Sequence, residues 1–173
     1  MGKVGIFAFA FGQQGEVNYP VAGPSNHRIT MTAWQIYAKE KRADNDPTIA
    51  AQWETAVGLP EMYVGFPVSR FGSKATHYIT TKYMLDEGVA YFKACGAERV
   101  IFVGHPLHLF FINLLVKTGV WDVEGMTVDH QYDKMMKTVP YDKSAGNIQW
   151  WTRNPFAFIV YMTEALFTGK HGS

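Results

Sequence analysis

Short unbroken apolar runs alternate along this chain with stretches in which apolar residues recur at helical spacing. Val4 to Phe11 is the first run and predicts a strand, closed by a turn at Gly12-Gln13-Gln14-Gly15. Asn18 to Pro24 reads as a loop. A helix follows, with Ser25 as its N-cap, Ile29, Trp34, Ile36 and Tyr37 along it, and an end near Lys41. Asp44-Asn45-Asp46-Pro47 reads as a turn into a second strand, Thr48 to Ala51, with Gln52-Trp53-Glu54 at its carboxyl end. Glu61 to Val64 is a third candidate strand and Gly65 to Gly72 an irregular loop. The next helix starts at Ser73, carries Tyr83, Met84, Val89 and Phe92, and ends at Gly96.

Val100 to Val103 has the texture of a strand covered on both faces. Gly104 breaks it, and Pro106 suits the first turn of a helix, where a missing N–H costs nothing. Leu107, Phe110, Phe111, Leu114 and Leu115 then recur at helical spacing up to Gly119. Val123 to Val128 predicts another strand with Asp129-His130 at its end. Gln131 to Ser144 is polar and loop-like, and a last helix runs from Pro155 towards Phe167. Strands alternating with helices at this spacing predict an α/β fold, a three-layer α/β/α Rossmann-like domain with a mostly parallel sheet. Residues 1–168 read as one domain, and 169–173 as a flexible tail of the kind a vector supplies.

Composition narrows the function classes. Of the 173 residues 47% are hydrophobic and 18% charged, which suits a globular core. A formal charge of +1 with no basic block argues against a nucleic-acid partner. The single cysteine, Cys95, excludes an internal disulfide and a multi-cysteine zinc site, and reads as a structural thiol. No secretory signal or membrane-spanning segment stands out, so a cytoplasmic protein is expected.

In open parallel α/β sheets ligands bind at the carboxyl ends of the strands. That edge gathers the candidate chemistry. His105 and His108 follow the Val100 strand, and three readings are open for them. They are a metal pair completed by a carboxylate, or a general acid/base with an orienting partner, or a helix cap beside a packed ring. Glu54 and Gln52 follow the second strand, where Glu54 can orient a histidine or simply begin a helix favourably. Ser73 and Thr76 at a helix start suit either a cap or an anion. Arg28 suits an anion or a surface ion pair. Gly12 and Gln13 would floor the cleft. Asn147 and Trp150, in a segment that also holds Gln149 and Trp151, can stack a ring or staple the last helix to the sheet. No nucleophile-elbow, Walker or kinase signature occurs.

Ser73-x-x-Thr76, the Leu107-His108 pair after the Val100 strand, and Asn147 to Arg153 with Glu164 together resemble the YdcF-like family, which includes the SanA and ElyC envelope proteins. The chain reads as a divergent member, with Phe111 where the family has an arginine. The resemblance implies a Rossmann-type domain. The expected function is a small-molecule enzyme or binder, of hydrolase or transferase type if catalytic. Its ligand would be polar, phosphorylated or nucleotide-like, with His108, His105 and Glu54 catalytic. Gly12, Gln13, Arg28, Gln52, Ser73, Thr76, Asn147 and Trp150 would bind that ligand. A nucleotide or S-adenosylmethionine enters by fold analogy alone. The alternative is a non-catalytic interaction protein for envelope or precursor handling, marked by an exposed apolar patch for which Trp121, Trp150 and Trp151 are candidates.

Overall fold

A computed structural model of the chain describes residues 2–11, 14–16, 19–21, 24–56, 81–131, 133 and 155–168. Four parallel strands form its sheet: β1 (Lys3–Ala8), β4 (Asp46–Ala51), β5 (Arg99–Val103) and β6 (Thr127–Gln131), in the order β4-β1-β5-β6. Ile6 pairs with Ile49 on one side and Ile101 on the other, and Ile101 pairs in turn with Asp129. A small antiparallel pair, β2 (Gln14–Glu16) and β3 (Tyr19–Val21), stands apart from this sheet.

Crossover handedness sets the layers. The helix α1 (Pro24–Arg42) carries the chain from β1 outward to β4, whereas α4 (Pro106–Lys117) carries it from β5 the opposite way to β6. Right-handed crossovers in opposite directions put their helices on opposite faces. Between β4 and β5 the described chain includes a short α2 (Trp53–Ala56) and α3 (Thr81–Ala94), which joins α4's layer. The result is a three-layer Rossmann-like α/β domain, as the alternating pattern predicts.

The buried stripes of α1, α3 and α4 match the expected ones only in part: Trp34, Tyr83 and Phe110 are exposed, and α4 buries His108, Leu109 and Ile112 beside Phe111 and Leu115. Ile29, Ala33 and Ile36 of α1 are fully or almost fully buried, as are Met84, Leu85, Val89 and Phe92 of α3 and Leu109, Ile112 and Leu115 of α4. The α3 contact is a reciprocal lock. A Cβ on Gly88 would lie 2.5 Å from the Phe7 ring, and one on Gly5 would lie 2.6 Å from the Phe92 ring. Two glycines thus let a helix and a strand each seat the other's phenylalanine. The last helix, α5 (Pro155–Thr168), matches the expected one within a residue or two.

Several boundaries differ from the sequence reading. The first strand ends at Ala8 and not at Phe11, because beyond Phe9 the backbone turns its amides to side chains. Part of the expected loop 18–24 is β3, and α1 begins at Pro24, which puts Ser25 inside the first turn instead of at the cap. Strand β4 takes in Asp46 and Pro47 from the expected turn. Pro47 is tolerated because β4 has a single neighbour, β1, in the described sheet. The strand expected over Val123 to Val128 is shifted to Thr127–Gln131, since Asp122 accepts the Glu124 N–H and Glu124 adopts φ 51° in a preceding turn. Asp129 and His130 therefore lie within the strand. The expected strand 61–64, loop 65–72 and helix start at Ser73 lie outside the described residues.

Candidate functional site at the carboxyl edge

The strand order reverses between β1 and β5, so the loops leaving those two strands part from each other. Such a switch point is where open α/β sheets hold ligands. Phe9, Ala10 and Phe11 leave β1 here, and Gly104 and His105 leave β5. Gln52 arrives from the end of β4, Asn26 from the first turn of α1, and Thr81 from the start of α3.

His105 is the N-cap of α4. Its backbone is extended (φ −65°, ψ 138°), and its Nδ1 accepts the Leu107 N–H at 3.3 Å, with Pro106 filling the position that needs no donor. An accepting Nδ1 places the proton of the neutral ring on Nε2. The ring stacks on Phe11 with centroids 4.0 Å apart and planes 12° from parallel. Burial pushes its pKa down from 6.5 to about 4.

One helical turn on, His108 points into the layer between the sheet and α3. Its Nε2 lies 3.1 Å from Thr81 Oγ1. The exposure of the two residues is 2% and 3%. Phe9 meets the imidazole edge-on, at 5.8 Å between centroids. A ring wedged between Phe9 and a hydroxyl is held in one orientation, as an acid or base must be.

The amides of Phe9, Ala10 and Phe11 after β1 are all engaged. Phe9 donates to the Val103 carbonyl at 2.8 Å. Ala10 donates to Gln52 Oε1 at 2.6 Å, and Phe11 to Asn26 Oδ1 at 2.7 Å. Behind these, Thr55 Oγ1 donates to the carbonyls of Ala8 and Gln52, and Thr30 Oγ1 to those of Asn26 and Thr55. Buried backbone donors need partners, and here neutral side chains supply them.

Of the residues expected at the site, His105, His108 and Gln52 do meet at this edge. His105 acts there as a cap and Gln52 as an acceptor for Ala10. Glu54 lies in α2 on the side of α1, with its side chain outside the described set, and the hydrogen-bond partner described for His108 is Thr81. Arg28 forms a half-exposed ion pair with Asp133 at 3.1 Å. Gly12, Gln13, Ser73, Thr76, Asn147 and Trp150 lie outside the described residues. Trp121, a candidate for an exposed patch, is buried at 2% exposure. Sequence reasoning missed Asn26 and Thr81. Both sit in a first helical turn facing the apolar stripe, and a small polar residue in that place is the one available signal.

Among the described residues no group of three or more His, Cys, Asp or Glu side chains is gathered to hold a metal ion, and no helix is long and apolar enough to cross a membrane. Comparison with family models, curated proteins and solved structures finds no match. The YdcF-like resemblance rests on the residues quoted for it.

Proposed function

We propose that this chain is a small-molecule enzyme or binder, in a cytoplasmic setting, that holds a polar ligand over the carboxyl ends of β1 and β5. His108 serves there as proton donor or acceptor. One observation carries the reading: a fixed, buried imidazole–hydroxyl pair, His108 with Thr81, stands at the switch point of a parallel sheet. In the core of a domain such a pair costs desolvation that an apolar pair avoids. At a ligand edge it provides an oriented group able to donate or accept a proton. A thermal-shift panel of nucleosides, nucleotides, sugars, sugar phosphates and S-adenosylmethionine tests this on the wild type and Thr81→Val. A ligand at about a hundred times its dissociation constant adds roughly 2.7 kcal/mol. A compound that stabilises the wild type and not Thr81→Val supports the reading, and silence across the panel overturns it.

A second reading has its own observation. Phe156, Ile159, Val160 and Phe167 of α5 are all exposed and fall on one helical stripe. Exposed apolar residues gathered on one helix face in this way favour the non-catalytic interaction protein of YdcF-like type.

A further inference from the structure

We infer that the described part of this edge recognises its ligand through neutral hydrogen-bonding groups and excludes phosphate, with Gln52 and Asn26 as the residues that set this specificity. The inference rests on the small-molecule reading above and narrows its ligand class away from the phosphorylated one that the sequence suggests.

Folds of this kind bind phosphate with two devices: open backbone amides in the turn after the first strand, and the exposed N–H groups at a helix N-terminus. Among the described residues, four amides of these two devices are taken up internally. The consecutive amides of Phe9, Ala10 and Phe11 donate to Val103 O, Gln52 Oε1 and Asn26 Oδ1, at 2.6 to 2.8 Å. Two of those acceptors are amide side chains reaching in from other elements, so they stand where phosphate oxygens would otherwise accept. At the start of α4, Pro106 has no N–H, and the Leu107 N–H is donated to the His105 ring. Two described groups that could carry positive charge here are committed elsewhere or neutral. Arg28 on the first turn of α1 faces Asp133, and His105 is stacked neutral against Phe11. Beside these stands the His108–Thr81 pair, whose hydroxyl has acceptor capacity beyond its bond to the imidazole and suits a ligand hydroxyl, amide or ring N–H. An anion brought against these described groups would lose its water without gaining the four amides in return.

The test uses the whole isotopically labelled chain, with pyrophosphate as the anion probe and nucleoside–nucleotide and sugar–sugar phosphate pairs in the thermal-shift panel. We expect the amides of Phe9, Ala10, Phe11 and Leu107 to exchange slowly and keep their resonances when pyrophosphate is titrated to millimolar concentration. We also expect the unphosphorylated member of any active pair to stabilise the chain at least as much as its phosphate. Saturable movement of those four resonances, or a phosphorylated compound binding tenfold or more tightly than its parent, overturns the inference while leaving a small-molecule site in place. A panel silent for every compound overturns the small-molecule reading itself, and the ligand class falls with it.

Discussion

At the carboxyl edge of the sheet Asn26, Thr30, Gln52, Thr55, Thr81, His105 and His108 hydrogen-bond with one another and with the backbone, and no Asp, Glu, Lys or Arg is among them. Towards the amino edge the arrangement is ionic. Glu40, near the end of α1, accepts from Asn45 at 2.7 Å and from Arg99 at 2.8 Å, and Arg99 also donates to Asp129 at 3.0 Å. Arg99 and Asp129 keep 34% and 48% of their side-chain surface in water, whereas Glu40 keeps only 7% and is held there by the Arg99 guanidinium and the Asn45 amide. Six of those seven carboxyl-edge residues, all but the partly exposed Gln52, are buried, where an ion would cost several kcal/mol. Neutral groups hold the edge where ligands bind in this fold class, and charges tether the other.

Acid should separate the two ends first. His105 has a folded pKa of about 4 against about 6.5 unfolded, so the unfolded chain takes up the proton first. The neutral ring affects stability little above pH 6.5, and stability falls as pH drops from there towards 4. Over that window the loss is about 3 kcal/mol. His105→Asn keeps a capping side chain and removes the titration, so urea denaturation at pH 7 and pH 4 should show the wild type losing about 3 kcal/mol more than the variant. Equal losses would mean that His105 is not held neutral.

Glu40→Gln tests the ionic end. Because Arg99 is partly solvated, the expected cost is about 2 kcal/mol at low salt. The cost should shrink as salt rises, and a salt-independent cost would assign the role of Glu40 to its hydrogen bond to Asn45 instead of its charge. Asn26→Ala is the neutral counterpart. It leaves the Phe11 N–H without the acceptor it now has, for about 1 to 2 kcal/mol that salt should not change. A salt-sensitive loss in this variant would erase the contrast between the ends.

Much of the frame was legible in the sequence because it is local. The Val100 to Val103 run, the break at Gly104 and the Pro106 helix start all stand where expected. The same three features placed His105 and His108 at a strand's carboxyl end. Their roles were not legible. Pro106 makes His105 a loop residue at the helix boundary, and its ring turns back to cap Leu107, a choice that depends on Phe11 stacking over it. Strand ends were misread wherever side chains instead of a neighbouring strand receive the backbone, as at Ala10 and Phe11.

The sequence by itself determined the alternation of strands and helices and the stop at Gly104 before the Pro106 helix start. These follow from periodicity and from the limits that Gly and Pro place on the backbone. Tertiary structure alone decided the order β4-β1-β5-β6, and with it which polar groups meet. Gln52 reaches Ala10 across 42 positions, His108 reaches Thr81 across 27, and Asn26 reaches Phe11 across 15. Periodicity reports that a residue is buried, whereas its hydrogen-bond partner is set by which element the fold packs against it.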